Sequence, residues 1–414
     1  MYFSSRGMGH PIGGPANWLT RHRLANMSAV AVLAYGAFLA TWAWVSHGFS
    51  SIGGARPGID FSIFWAASHL MLQGMPARVY DHFAFVKTQM DLFGNFADIH
   101  GIGWVYPPAF LVAVAPFALL PFSIGYLLFV ATGIGFYAFT IARIANGECR
   151  VDNARFWAFM IAASPCVFIA AIVGQNSLFT AALAAAALWW IVERPVAAGI
   201  CIGLLAIKPQ MAVVFPFVLI ASRAWKVFVV AAATAVATTV IGVVICGVQS
   251  LEKFFVNADA LRGALLDHGG QGFWFASPTV FSVSRLAGFS VVTAYAVHAC
   301  VAAVAIGAAC QVWRRSNDRR LRAAMVAIAA LLASPYVWHY ELAWLGIALA
   351  CLGALALDGG WSRGEQTVWL IAWALPIYEH FNRLTMLPQI GPLVLLMLLW
   401  MVLQRAANSK GSER

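Results

Sequence analysis

Charged side chains are scarce in this 414-residue chain. Aspartate, glutamate, lysine and arginine together make up 10% of the residues, whereas a soluble domain carries about 25%. Hydrophobic residues make up 62%, and many of them stand in long apolar runs. The sequence therefore predicts an all-α polytopic membrane protein. The net charge of +10 does not indicate nucleic-acid binding, because the basic residues lie in short loops between the apolar runs.

Signatures of metal and nucleotide chemistry are also missing. The chain has no H-x-x-x-H, no D-x-D and no Cys/His spacing typical of a zinc site. It has neither a P-loop nor a G-x-G-x-x-G before a predicted helix. We therefore expect no cofactor and metal-independent chemistry. None of the seven cysteines falls in a loop that we place outside the membrane, so no disulfide framework is predicted.

The distribution of basic residues predicts how the chain crosses the membrane. Residues 1–26 are polar and end in arginines, so we place this tail in the cytoplasm. The apolar run 27–46 lacks a cleavage site and is interpreted as a retained anchor. Residues 27–404 are predicted to form one transmembrane domain, and 405–414 a cytoplasmic tail. We predict about twelve spans, several of them short: 27–46, 122–142, 156–173, 177–192, 196–207, 210–222, 227–248, 290–313, 323–338, 341–357, 367–381 and 390–404.

Two sizeable external loops follow from this topology, 47–121 and 249–289. Within the first loop, residues 106–121 are apolar but carry four prolines. If this piece crossed, the basic segment 143–155 would lie outside, so we predict a re-entrant or interfacial segment. An amphipathic pattern further predicts an external juxtamembrane helix at 61–73. Its apolar face would carry Phe61, Phe64, Trp65 and Leu72, with Ser62, His69 and Gln73 largely off that face.

Polar groups that loop solvation does not explain nearly all come out on the external side. Five separate stretches contribute them, and we find no obvious internal repeat. Convergence of helix ends on one membrane face predicts a functional site there. The residues are Asp60, Tyr106, Gln175, Asn176, Lys208, His339, Tyr340 and Glu341.

Each of these residues also has a plainer interpretation. Asp60 could be only the N-cap of the helix that follows it, although an acid beside hydrocarbon is costly and often functional. Lys208 could be a snorkelling lysine, yet Pro209 breaks the helix there and could leave a cation ready for phosphate. His339 could be a satisfied structural histidine that only caps neighbouring carbonyls. Alternatively, Pro335 could open the preceding turn and Glu341 could orient the ring, so that the imidazole steadies the leaving phosphate.

Two further stretches remain equally open. Gly174-Gln175-Asn176 could be a tight turn between two helices, or its amides could hold sugar hydroxyls. Asp81 follows Tyr80 in the first external loop, and a structural turn there is as plausible as substrate binding.

Five stretches, in this order, resemble glycosyltransferase family 87: GIDFSIFWAASHLMLQG…VYD, VYPPAFLVAVAPFALLPF, GQNSLFTAALAAAALWW, ERPVAAGICIGLLAIKPQ and LLASPYVWHYELA. The resemblance covers roughly residues 57–350. It implies a GT-C fold and an inverting transferase of a bacterial plasma membrane. Such an enzyme moves a hexose, typically mannose, from a polyprenyl-phosphate donor to a lipid or glycan acceptor at the external face.

The resemblance also implies that Asp60 is the catalytic base. The residues themselves predict that Lys208 and His339 hold the donor phosphate. The predicted substrate-binding residues are Asp81, Tyr106, Gln175, Asn176, Gln210, Tyr340 and Glu341. Elementary chemistry agrees, because displacement at an anomeric carbon needs a base for the acceptor hydroxyl and stabilisation of the leaving anion. The main alternative is a lipid or sugar transporter or flippase, a class that tends to show internal repeats and binding groups at the membrane midplane.

Overall fold

The computed structural model describes residues 17–50, 56–94, 103–146 and 151–411. The first sixteen residues of the predicted tail 1–26, the last residues of the tail 405–414 and Cys149 lie outside these ranges. Throughout the described ranges the chain is helical and has no strand, in agreement with the predicted all-α class. The six cysteines in these ranges are free.

The α-helices differ greatly in length, and many are interrupted by short 3₁₀ or π turns. In chain order they are α1 (Arg21–Val45), α2 (Ile59–Leu72), α3 (Pro76–Val79), α4 (His82–Phe93), α5 (Pro108–Val114), α6 (Phe122–Asn146), α7 (Val151–Ala162), α8 (Pro165–Val173), α9 (Ser177–Trp190), α10 (Pro195–Leu204), α11 (Pro209–Ala212), α12 (Val214–Ala221), α13 (Trp225–Cys246), α14 (Val248–Arg262), α15 (Phe273–Ala276), α16 (Val280–Leu286), α17 (Val291–Arg315), α18 (Arg319–Ala333), α19 (Leu345–Gly359), α20 (Glu365–Thr385) and α21 (Gly391–Gly411).

Six helical segments in the described ranges are long and apolar enough to cross a membrane, which supports a multi-pass membrane protein. They coincide with six of the predicted spans and are Arg21–Val45, Phe122–Asn146, Trp225–Cys246, Val291–Arg315, His339–Gly359 and Gly391–Asn408. A seventh is obtained if the bent pair Ala154–Ala162 and Pro165–Val173, which meet at 51°, counts as one broken span. That pair coincides with the predicted span 156–173.

The predicted count of about twelve spans is not confirmed. The predicted spans 177–192, 196–207 and 210–222 correspond to apolar helices of 10–17 residues. A helix rises 1.5 Å per residue, so these cover about 15–25 Å, less than the roughly 30 Å of a hydrocarbon core. The predicted span 323–338 ends early, because α18 stops at Ala333. Helix α20 occupies the predicted span 367–381 but is not among the segments apolar enough to qualify.

The centre of the molecule is formed by helices whose residues are buried on every side. In α9 a run of alanines is fully buried, and α18 and α19 bury nearly all of their residues. Small side chains let neighbouring helices approach closely, which is how helices pack in a membrane. The outer helices α1 and α13 instead expose apolar residues such as Leu33 (73% exposed) and Val244 (77%), as a lipid-facing surface requires.

Helix α2 confirms that a helix follows Pro57, but it is not amphipathic in the predicted way. Ser62, predicted to lie largely off the apolar face, is fully buried, and so is Ser68. Their hydroxyls donate to backbone carbonyls, Ser68 to that of Val114 at 2.6 Å. Leu72, predicted on the buried face, is 48% exposed. The helix is therefore part of the core of the protein. Its serine hydroxyls can be buried there because they form hydrogen bonds with backbone carbonyls.

The segment 106–121 packs against α2 as two short pieces. Helix α5 is followed by a 3₁₀ turn at Ala115–Leu119, and the indole of Trp65 donates to the carbonyl of Leu120 at 3.0 Å. Edge-to-face ring contacts join Phe64 to Phe110, with centroids 5.1 Å apart. Together these residues build a second hydrophobic core beside the first turn of α2. That the segment re-enters a membrane remains a prediction.

The predicted second external loop is itself largely helical, comprising most of α14, α15 and α16. The amide of Asn257 on α14 donates to the carbonyls of Tyr80 and Trp104 at 3.1 and 3.2 Å, which ties this loop to the first one. Helix α15 packs against α20. The second loop therefore packs against both the first loop and α20.

Candidate active site

Asp60 lies in the first turn of α2, with its carboxylate turned toward the helix bundle. The N-cap of this helix is Gly58, in the left-handed conformation at φ 82°, and no side chain caps it. The interpretation of Asp60 as an N-cap is therefore wrong. Its Oδ2 atom instead accepts a hydrogen bond of 2.7 Å from Nε2 of Gln175, 115 residues away in the chain. The positive end of the α2 dipole also favours a carboxylate at this position.

A tight turn between α8 and α9 brings Gln175 to Asp60. Gly174 ends α8 at φ +77°, a conformation that costs glycine nothing. A Cβ atom at this position would lie 2.8 Å from Cβ of Phe61 and 3.1 Å from Cα of Gly58. The turn therefore passes the start of α2 at a distance that only glycine permits. The first interpretation of this stretch is confirmed, because it is a tight turn between two helices. That its amides hold sugar hydroxyls stays a prediction.

The side chain of Gln175 is buried, and both of its polar atoms have partners. Its Oε1 atom accepts from the hydroxyl of Tyr106 at 2.9 Å and from the backbone N–H of Asn176 at 2.8 Å. Two donors on the oxygen fix the orientation of the amide, so Nε2 must face Asp60. The predicted residues Asp60, Tyr106 and Gln175 are therefore brought together in one hydrogen-bonded chain.

Burial controls the electrostatics of Asp60. The residue is half-buried, and loss of hydration raises the pKa of its carboxyl group to about 6. The nearby cations Lys208 and Arg383 and the hydrogen bond from Gln175 oppose this rise, and the anion of Glu341 adds to it. A carboxyl group with a pKa near 6 is mostly ionised at neutral pH yet basic enough to take a proton.

Lys208 is buried but not free. It stands where a 3₁₀ turn ends and Pro209 starts α11, and its ammonium group forms an ion pair with Oε1 of Glu341. Both side chains are almost completely buried, at 5% and 2% exposure. The ammonium group also lies 5.9 Å from the ring centroid of Tyr106 and 5.4 Å from that of Tyr340, within the range of cation–π attraction.

This ion pair corrects one expectation, that Glu341 orients the ring of His339. Instead Glu341 neutralises Lys208, while its second oxygen, Oε2, has no partner in the described part of the chain. An ammonium group has three N–H donors, so Lys208 retains donors for a ligand.

His339 is buried at 3% exposure and begins a 3₁₀ turn, His339–Trp344. The break predicted at Pro335 is present, but it starts earlier, because α18 ends at Ala333 and residues 334–338 are extended or bent. Neither ring nitrogen of His339 has a hydrogen-bond partner among the described residues. The interpretation of His339 as a satisfied structural histidine is therefore wrong.

The remaining predicted residues differ in position. Asn176 is 1% exposed, and neither atom of its amide group has a partner in the described ranges, so it can still bind a ligand. Gln210 is half-buried in α11, two residues after Lys208. Asp81 is exposed and caps α4, accepting from the N–H of Ala84 at 3.0 Å. The structure does not bring Asp81 into the hydrogen-bonded chain around Asp60.

Sequence reasoning missed two residues on α20. The ring of His380 lies 4.6 Å from that of His339, centroid to centroid, and Arg383 lies close enough for its charge to lower the pKa of Asp60. The signal available in the sequence was the polar stretch YEHFNR directly after an apolar run. We had assigned that stretch to the end of a span.

The arrangement offers a base, a paired cation and several unoccupied donors, but no metal site. Within the described residues no group of three or more His, Cys, Asp or Glu side chains is placed to hold a metal ion. Asp60 can take a proton from a hydroxyl group. Lys208, His339 and Asn176 can donate hydrogen bonds to an anionic or hydroxylated ligand. These are the elements of a reaction in which an alcohol displaces an anionic leaving group.

Comparison with known proteins identifies the family. No curated protein and no solved structure matches the chain. Residues 104–335, more than half of the chain, match the family model described as glycosyltransferase family 87. This stretch includes Tyr106, Gln175 and Lys208, whereas Asp60 and His339 lie outside it. The chain therefore belongs to glycosyltransferase family 87.

Proposed function

We propose that the protein is an inverting glycosyltransferase of the GT-C type that moves a hexose, in our expectation mannose, from a polyprenyl-phosphate donor to a lipid or glycan acceptor. The observation that carries the proposal is the half-buried carboxylate of Asp60, held through Oδ2 by Gln175. No described residue bonds to its other oxygen, Oδ1. That oxygen is therefore open to an incoming hydroxyl group.

The reaction follows from these groups. The acceptor hydroxyl loses its proton to Oδ1 of Asp60, and its oxygen forms a bond with the anomeric carbon. The bond between that carbon and the phosphate oxygen breaks on the opposite side, and its electron pair stays with the phosphate. One displacement at one carbon inverts the anomeric configuration. A lipid phosphate leaves as an anion, so it needs hydrogen-bond donors more than an acid.

The proposed donor-phosphate ligands are Lys208 and His339. Lys208 uses one N–H on Glu341 and has two left, and the ring of His339 has no partner among the described residues. Tyr106 and Tyr340 flank the ammonium group, and their rings suit the apolar face of a sugar. The amide of Asn176 is proposed to bind a sugar hydroxyl, because a hydroxyl can both donate and accept there.

We place this reaction at the external face of a bacterial plasma membrane, with both termini in the cytoplasm. The positive-inside bias supports that orientation. A sugar that is attached to a lipid phosphate already bears its leaving group. It can therefore react at the external face, where nucleotide sugars are not supplied. Membership of a glycosyltransferase family does not favour the alternative of a transporter or flippase.

The test is transfer by the purified protein in detergent. Labelled hexose would be supplied as a polyprenyl-phosphate mannose or as a nucleotide mannose, with extracted membrane lipids as acceptors. We expect label in a lipid or glycan product from the polyprenyl-phosphate donor only. Transfer from the nucleotide sugar would contradict the proposal. So would movement of the donor across the membrane of vesicles reconstituted with the protein, without formation of product.

A further inference from the structure

Helix α20 brings a second histidine and an arginine to the candidate site. The rings of His339 and His380 meet nearly at right angles, at 77°, with centroids 4.6 Å apart. Arg383 follows His380 by three residues, so the two side chains lie on one face of the helix. Both α20 residues lie outside the stretch that matches the family model.

The donors of this cluster lack partners. Both ring nitrogens of His339 and Nδ1 of His380 are buried without a hydrogen-bond partner in the described ranges. Arg383 is exposed, and no described carboxylate forms an ion pair with it. A buried polar group without a partner costs free energy, about 1–3 kcal/mol for each group. Several such groups side by side indicate a ligand that supplies acceptors.

Neither acid near the cluster forms an ion pair with Arg383 in the described part of the chain. Oε1 of Glu341 pairs with Lys208, and Oε2 of Glu379 accepts from the amide of Gln389 at 2.7 Å. The charge of Arg383 is felt at Asp60. A cationic and donor-rich cluster within electrostatic reach of the base suits an anion that is adjacent to the reacting carbon.

We propose that His339, His380 and Arg383 together form a clamp for the phosphate of the lipid carrier. The proposal rests on the proposed function, since it adds His380 and Arg383 to Lys208 and His339 as ligands of the leaving group in that reaction. Each neutral imidazole can donate one N–H, and the guanidinium presents a fork of donors that matches phosphate oxygens. When the bond from the anomeric carbon breaks, the electron pair moves to a phosphate oxygen held by this clamp.

Binding of farnesyl phosphate tests the clamp without requiring sugar transfer. Its affinity for the purified protein would be measured beside that of farnesol and of inorganic phosphate. We expect Arg383→Gln and His380→Gln each to weaken farnesyl phosphate about tenfold and to leave farnesol unchanged. Arg383→Lys should recover part of the loss. Arg363→Gln is the matched control and should bind like the wild type, because Arg363 is exposed and lies two residues before α20 begins.

Each other outcome overturns part of the proposal. Wild-type affinity for farnesyl phosphate in Arg383→Gln would remove Arg383 from the site, and the melting temperature would show that the variant is folded. Equal affinities for inorganic phosphate and farnesyl phosphate would assign the clamp to free phosphate. An enzyme that transfers sugar but binds farnesyl phosphate normally in both variants would refute the clamp and leave the proposed function intact. If both variants lose affinity for farnesyl phosphate but the wild-type protein transfers no sugar, the clamp would stand and the proposed function would be refuted.

Discussion

At the scale of single residues, the amide of Gln175 decides what Asp60 can do. Its oxygen is occupied by Tyr106 and Asn176, so its N–H group must point at Oδ2 of Asp60. One carboxylate oxygen is thereby fixed and the other is left for the acceptor. A base that is held in one orientation needs no reorganisation when the substrate arrives.

The pH dependence of turnover should report the ionisation of Asp60. Burial raises the pKa of this carboxyl group to about 6, and only the ionised form can accept a proton. We expect kcat/KM to be constant above pH 7 and to fall about tenfold per pH unit well below pH 6. The measurement is a pH profile of transfer by protein that remains folded throughout. A profile that stays flat down to pH 4.5 would contradict a base with this pKa.

The buried ion pair should show in stability as well as in activity. Lys208→Met leaves Glu341 buried without its partner, which typically costs about 3–5 kcal/mol. In the double variant Lys208→Met/Glu341→Gln no charge is left uncompensated, so we expect most of the melting temperature to return while transfer stays low. Thermal unfolding in detergent measures this. Equal losses of melting temperature in the single and double variants would show that the pair is not coupled.

The sequence predicted most members of the site but not how they pair. Asp60, Gln175 and Lys208 stand out in the sequence because a polar group beside an apolar run costs free energy. Such a residue is therefore a candidate for a functional role. The partner of Lys208 is 133 residues away, and no local pattern encodes that contact. His339 was paired with Glu341 because the two are neighbours in sequence, whereas the 3₁₀ turn directs Glu341 to Lys208 instead.

At the scale of elements, the turn at Gly174 holds two helices in contact. It joins α8 to α9 and passes so close to α2 that a Cβ atom would overlap Phe61. The same residue has a positive φ, which adds strain for any other side chain. The position of Gln175 relative to Asp60 therefore depends on one glycine.

Gly174→Ala should disrupt the site more than the fold. We expect at least a tenfold loss of turnover, since a shift of about 1 Å can cost two orders of magnitude, together with a lower melting temperature. Gly36→Ala is the matched control, because a Cβ atom there has nothing within 4 Å and should be neutral or slightly stabilising. Wild-type activity in Gly174→Ala would mean that the turn can relax without moving Gln175.

Breaks between short helices limited how well the sequence could predict the lengths of the helices and the number of membrane spans. Long, uniformly apolar runs such as α6, α13 and α17 were located to within a few residues, because their length leaves no other interpretation. Short apolar pieces between prolines, such as 196–207 and 210–222, look like spans but form helices of 13 residues at most. Helix α2 was located correctly, but tertiary packing buried its serines as well as its apolar face.

At the scale of the whole molecule, the exposed helices and the buried helices have different positions relative to the site. The outer helices α1, α13 and α17 expose apolar residues, whereas α9, α18 and α19 form the interior next to the site. All the polar groups of the site come from loops and helix ends around this interior. The predicted orientation places that end of the molecule outside the cell.

Thiol labelling in intact cells can test this orientation. With Cys300 replaced by serine, a cysteine at Asp91 on the exposed side of α4 should react with a membrane-impermeant maleimide. A cysteine at Asn317, in the exposed loop before α18, should react only after the cells are permeabilised. The reverse pattern would place the site in the cytoplasm.

The most direct measurement of the central claim is transfer by Asp60→Asn. The amide keeps the shape of the side chain but cannot take a proton, and loss of a general base typically lowers turnover by about 10²–10⁴-fold. Stability should not fall, because burial raises the pKa of Asp60 and so penalises its ionised form in the folded protein at pH 7. Asp91→Asn, an exposed aspartate of the same loop, should retain full activity. Asp60→Asn with more than half of the wild-type turnover would show that Asp60 is not the base.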